Sequence, residues 1–168
     1  MKYQTTLLED WIEIFYSRIG IHHPRQLDLH TIANRLGYSV IYRDISSRFY
    51  NDSLIIDERL SPQEQWQEFA HEVCHLERHA GNQLVMPQPF MELQEYQANL
   101  FAYHFCVPSF MLLKLPIPDS NKQATYFLAN TFNVTLDFAE YRLELFRNRI
   151  NSVTMVAERA KSWITNQS

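Results

Sequence analysis

Leu8, Trp11, Ile12, Phe15 and Ile19 recur at three- and four-residue intervals, which predicts a helix opened by Thr5 or Thr6 and closed by Gly20. Leu27 to Leu36 reads as a second, shorter helix with Gly37 as its stop. The pattern then switches to alternation in Tyr38-Ser39-Val40-Ile41-Tyr42, and Leu54-Ile55-Ile56 is a second strand-like run. Arg48 to Asn51, between them, reads as a turn.

Helical periodicity returns with Ser61-Pro62-Gln63-Glu64, which combines a Ser N-cap, Pro at the first helical position and Glu at the third. Trp66, Phe69, Ala70, Val73 and Leu76 form the apolar stripe that follows, and Ala80-Gly81 supplies a stop. Gly81 to Pro89 reads as a loop, and Pro89 to Val107 as the next helix. Beyond Pro108 only helices are expected. One runs from Ser120 through Ala129, another from Thr135 towards Ile150 on Leu136, Ala139, Tyr141, Leu143, Leu145 and Phe146, and the stretch to Trp163 is helical too. The fold class expected is therefore α+β and mostly helical, with a small antiparallel or mixed sheet beside the helix that begins at Ser61.

That helix carries His71-Glu72-Val73-Cys74-His75. Two histidines four apart lie on one helix face about a turn from each other, so both imidazoles can reach a single metal ion. Glu72 projects to the side where an attacking water would sit and can act as its general base. A catalytic zinc needs a third protein ligand. The following helix offers Glu95, four residues before Asn99 on the same face, an arrangement that suits a ligand plus an amide able to orient a ligating imidazole. Glu92, one turn earlier, is the alternative ligand. His79 continues the four-residue series, but three histidines over two turns stretch about 12 Å along the axis at 1.5 Å per residue, too far for one ion, so a structural or orienting role is expected for it. His22-His23-Pro24 reads as a loop and His30 as a helix-surface or half-buried residue. His104, Tyr103 and Tyr126 are candidate electrophiles for a tetrahedral oxyanion, and the sequence does not rank them.

The two motifs together resemble the ImmA/IrrE family of metallopeptidases. The matching residues are His71-Glu72-Val73-Cys74-His75-Leu76 with His79, then Glu95-Tyr96-Gln97-Ala98-Asn99-Leu100-Phe101-Ala102 ending at Pro108. Ser53-Leu54-Ile55-Ile56-Asp57 matches the short strand that precedes the active-site helix in that family, and Phe132-Asn133-Val134-Thr135 and Tyr141-Arg142-Leu143 fall where its helical C-terminal segment lies. The resemblance implies a gluzincin-like zinc peptidase in which His71, His75 and Glu95 bind Zn2+, Glu72 activates water, and Asn99 hydrogen-bonds a ligating histidine. It implies a protein substrate, a helix-turn-helix repressor, whose cleavage releases genes of mobile elements or of the DNA-damage response. A non-catalytic protein that sequesters the repressor is the alternative. On this reading residues 1–168 form one domain, with 1–118 the zinc-peptidase core and 119–168 the helical C-terminal segment. The departures are Cys74, where relatives usually carry Gly, and Cys106 in place of a common aliphatic; packing changes are expected from them, with no ligand lost.

Composition narrows the partners. A net charge of −4 gives no electrostatic footprint for nucleic acid. The helix after Asn133-Val134-Thr135 could pass for a DNA-reading helix, but it carries Asp137, Glu140 and Glu144, which phosphates would repel. Two cysteines are too few for a disulfide scaffold, and Cys74 should face away from the histidines as a buried small hydrophobe. Met1 to Glu9 lacks the basic start and apolar run of a signal peptide, and no apolar stretch is long enough to span a bilayer, so a cytoplasmic protein with no membrane partner is expected.

Overall fold

The computed structural model describes residues 3–78 and 87–165, with side chains as far as residue 152. Among the described residues, seven α-helices and three strands, with a short 3-10 turn at Pro24–Gln26 between the first two helices, follow one another in the order α1 (Leu7–Arg18), α2 (Leu29–Leu36), β1 (Ser39–Arg43), β2 (Arg48–Tyr50), β3 (Ser53–Asp57), α3 (Pro62–Arg78), α4 (Gln88–Cys106), α5 (Ser109–Leu112), α6 (Asn121–Phe132) and α7 (Leu136–Thr165). The architecture is the expected one, mostly helical with a small mixed sheet.

Local chemistry sets most boundaries. Thr6 caps α1 through a full capping box with Glu9. Asp28 caps α2 by accepting from the Thr31 amide, so that helix starts two residues later than the apolar pattern suggests. Its end comes at Gly37, whose φ of 81° is the left-handed conformation that glycine adopts at least cost. Ser61 and Glu64 close a second capping box at the start of α3. The apolar pattern beyond Pro108 resolves into the short α5, then α6, and α7 as one continuous helix rather than a helix to Ile150 and a separate terminal stretch. Asn133, in the left-handed region at φ 52°, makes the turn between α6 and α7.

The stretch expected to be a turn between the two strands is itself a strand. Arg48–Tyr50 pairs antiparallel with β3, while β1 pairs with β3 in parallel, giving the order β1-β3-β2. The reversal is confined to Asn51 and Asp52, with φ of 46° and 60°, as a two-residue hairpin of type I′ requires. Three-residue β2 carries too little alternation to be read alone and owes its conformation to pairing with β3. It forms the outer edge of the sheet and touches α3.

Helices α3 and α4 pack against each other over a core that holds the site in place. Trp66, Phe69, Ala70, Val73 and Cys74 of α3 are buried, as are Ala98, Phe101, Ala102, Phe105 and Cys106 of α4. Phe105 stacks on Phe101 and meets Trp66, Phe15 and Tyr16 at ring separations of 4.8–5.9 Å. The Tyr16 hydroxyl donates to the Phe105 carbonyl at 2.8 Å, fixing α1 to α4. Each such fully buried aromatic contributes about 1.5–3 kcal/mol of burial free energy, so the relative placement of α3 and α4 is strongly determined.

A polar cluster is sealed into the other side of this core. The Glu9 carboxylate accepts from Tyr3 at 2.6 Å and from Ser109; Ser109 accepts from Arg142 Nη2 at 2.6 Å, and Arg142 Nε donates to the Val107 carbonyl at 3.1 Å. Arg142 is fully buried on α7, so this network joins the start of α1, the turn after α4, and α7. No helix among the described residues is long and apolar enough to cross a membrane.

Candidate metal centre

His71 and His75 point from adjacent turns of α3 towards α4, where Glu95 meets them. The two Nε2 atoms are 3.0 Å apart. His71 Nε2 lies 3.3 Å from Glu95 Oε2, and His75 Nε2 lies 3.5 Å from Glu95 Oε1. Bonds of about 2.0–2.1 Å to one tetrahedral ion place neighbouring ligand atoms about 3.3 Å apart, so these separations fit a single zinc-sized ion. Among the described residues, His71, His75 and Glu95 are the group of metal-ligating side chains that converges in this way. Around a tetrahedral ion, two imidazoles and one carboxylate would leave a fourth position open.

Asn99, one turn beyond Glu95, lies with its Oδ1 3.1 Å from His71 Nδ1. The carbonyl oxygen can only accept, so Nδ1 carries the proton and Nε2 presents its lone pair to the cluster. Glu92 is not part of the group: its carboxylate accepts from Gln88 Nε2 at 2.9 Å, and it lines the wall of a neighbouring cleft.

Glu72 is half-buried beside the imidazoles, and its pKa is raised to about 7. Burial is the main cause, reinforced by the nearby carboxylates Glu68 and Glu95; His71 and a backbone hydrogen bond from Phe49 act in the opposite direction. Phe49 pairs with Leu54 one step from the hairpin, at a position where both backbone groups turn to the free edge of β2. The edge strand thus reaches the base candidate through its main chain. Reading the sequence misses this contact; the signal for it is Asn51-Asp52, a two-residue turn between two short apolar runs.

His104 lies half a turn round α4 from Glu95 and faces the buried polar cluster, with Nδ1 3.8 Å from Glu9 Oε1. It is therefore not an electrophile of this centre. Tyr103 packs on Phe138 and Tyr141 at 4.3 and 4.6 Å, and Tyr126 lines a separate cleft with Asn133 and Thr135. The turn between α6 and α7 is docked on α3 by the Thr135 amide donating to Gln67 Oε1 at 3.0 Å, consistent with a packing role for that pair of helices. Cys74 and Cys106 are both free and buried; Cys74 Sγ sits 4.0 Å from the Gln97 carbonyl, away from the histidines. His30 is exposed beside the Tyr42 hydroxyl, and His22 and His23 enter the short turn at Pro24–Gln26. His79 lies outside the described residues.

A helix-borne His-Glu-x-x-His whose imidazoles meet a carboxylate from the next helix is the arrangement of a metallopeptidase-like protein. The chain belongs to the peptidase family of the IrrE N-terminal-like domain (Peptidase_M78), whose model matches residues 23–144. It is similar to the phage-like element PBSX protein XkdA of Bacillus subtilis (strain 168), 42% identical over 146 residues that cover 84% of this chain and 74% of that protein. It is also similar to the "uncharacterized protein YqaB" of the same strain, 35% identical over 154 residues that cover 89% of this chain and 90% of the relative.

Proposed function

We propose that this chain is a zinc-dependent endopeptidase, folded as one domain and acting in the cytoplasm, whose substrate is a helix-turn-helix transcriptional repressor. The observation that carries the proposal is the convergence of His71, His75 and Glu95 on a volume sized for one ion, with the His71 tautomer set by Asn99. Those three side chains hold the metal in this reading, through two Nε2 atoms and a carboxylate. When bound there, zinc supplies Lewis acidity, polarising a peptide carbonyl and acidifying a water molecule.

The remaining work falls to the chain itself. Glu72, with its affinity for a proton raised by burial, takes the proton of the attacking water and passes it to the departing amine nitrogen. A cation held by the neighbouring ligands lowers that affinity again and keeps Glu72 ionised before attack. The free edge of β2 at Phe49 leaves the C=O for an extended segment of substrate, its N–H being engaged by the Glu72 carboxylate, and so aligns that segment alongside Glu72. Pairing of this kind demands an extended peptide, so a repressor is cut in a linker or in a locally opened segment.

The repressor as substrate is supported by the family resemblance and by the name of the relative XkdA, which assigns that protein to a phage-like element. Its cleavage would release the repressed genes of a mobile element or of a damage response. Incubating purified protein and zinc with a candidate helix-turn-helix repressor tests the proposal. Wild type should shorten the repressor at a defined bond, while Glu72→Gln leaves it intact. A stable complex with uncut repressor in both cases would contradict the enzyme and favour sequestration.

A further inference from the structure

Beside the metal-ligand group, the outer face of α4 carries a cleft of about 640 Å³ lined by Gln88, Met91, Glu92, Glu95, Tyr96 and Asn99. Two of these residues belong to the centre itself, so a substrate held there has a side chain next to this cleft. The walls are of two kinds. Met91 and the ring of Tyr96, 64% exposed, give an apolar and aromatic surface. Glu92 stands at the end away from Asn99, two turns earlier on the helix, and accepts a hydrogen bond from the neutral amide of Gln88 at 2.9 Å. Among the described residues, none that lines the cleft is cationic. An open face of α4 that sets Met91 and the Tyr96 ring beside a carboxylate whose charge no described lining residue neutralises matches a side chain with an aliphatic stem and a cationic tip.

We propose that this cleft is a specificity subsite for an arginine side chain next to the scissile bond, with Glu92 the residue that selects it; the proposal rests on the peptidase reading of the adjoining centre. Arginine is preferred over lysine because a planar guanidinium can pair with a carboxylate through two hydrogen bonds while stacking on the Tyr96 ring. Glu92, unable to join the ligand group, thus acquires a role in choosing what is cut. The pair is solvent-exposed, so the selectivity is moderate, about three- to tenfold rather than orders of magnitude.

Binding and cleavage read the proposal separately. Fluorescein-labelled pentapeptides of alanine with arginine, norleucine or glutamate at the central position are titrated against the full-length Glu72→Gln protein by fluorescence anisotropy. Arginine should bind about three- to tenfold tighter than norleucine, with glutamate weakest, and Glu72→Gln/Glu92→Gln should bring the arginine-to-norleucine ratio to about one. Tyr96→Ala should weaken both the arginine and norleucine peptides. Equal affinities in the Glu72→Gln protein, an arginine preference that survives Glu92→Gln, or no binding of any peptide overturns the subsite. Wild-type hydrolysis of the same peptides distinguishes the two levels. Cleavage without an arginine preference sinks the subsite alone, whereas an arginine preference in binding with no cleavage by wild type sinks the peptidase reading alone.

Discussion

Asn99 Oδ1 sits 3.1 Å from His71 Nδ1, so an amide on α4 determines which nitrogen of an imidazole on α3 faces Glu95. The contact spans two helices whose relative position is fixed by the aromatic core beneath them. Asn99→Ala should leave the fold intact and weaken zinc binding by about 10–100-fold, the usual cost of losing a group that orients a ligand. Competition with a fluorescent zinc chelator measures it; unchanged affinity would mean His71 is held by other means.

The buried Arg142 bridges Ser109 and Val107 on one side and stacks over Phe146 on the other, at 5.9 Å from the ring. Arg142→Ala removes the buried cation that is linked to the Glu9 carboxylate through Ser109 and should cost about 3–5 kcal/mol in urea unfolding. Arg142→Met paired with Glu9→Gln, which removes both charges and keeps the volume, should cost markedly less.

His104 is held neutral in the folded chain. Burial pushes its pKa well below the ordinary value, Arg142 pushes the same way, and Glu9 only partly opposes them. In the unfolded chain the imidazole gains a proton near pH 6.5, so the unfolded state binds more protons below that pH. The stability His104 permits is full above about pH 6.5 and declines as pH falls, by on the order of 2 kcal/mol between pH 7 and 5. Urea midpoints of metal-free protein across this range should fall for wild type and fall less steeply for His104→Gln. Parallel slopes would contradict the assignment.

Asp52 occupies the second left-handed position of the β2–β3 turn, at φ 60°. Asp52→Gly supplies the Asn-Gly pair that type I′ hairpins favour and should raise stability by up to about 1 kcal/mol. Thermal unfolding reads this directly, and destabilisation would mean the Asp52 side chain makes a contribution of its own.

The helices and their starts were legible because each rests on local chemistry: Thr6 with Glu9, Ser61 with Glu64, and Gly37 at a left-handed stop. The grouping of His71, His75 and Glu95 was legible because helical spacing fixes faces, and each motif lies on one helix. What the sequence hid depends on contacts between distant segments. β2 exists because β3 pairs with it, and His104 points to Glu9 because α1 closes that side of α4. The choice between Glu92 and Glu95 also waited on packing, since both occupy nearly the same face and only the approach of α3 separates them.

The most direct test of the account is the zinc content of purified wild type beside Glu95→Ala, measured by inductively coupled plasma mass spectrometry on folded protein. About one zinc per chain in wild type, falling sharply in Glu95→Ala, is the predicted result. Wild type that takes up no zinc even when it is supplied, or Glu95→Ala that retains a full equivalent, would contradict a centre built from His71, His75 and Glu95.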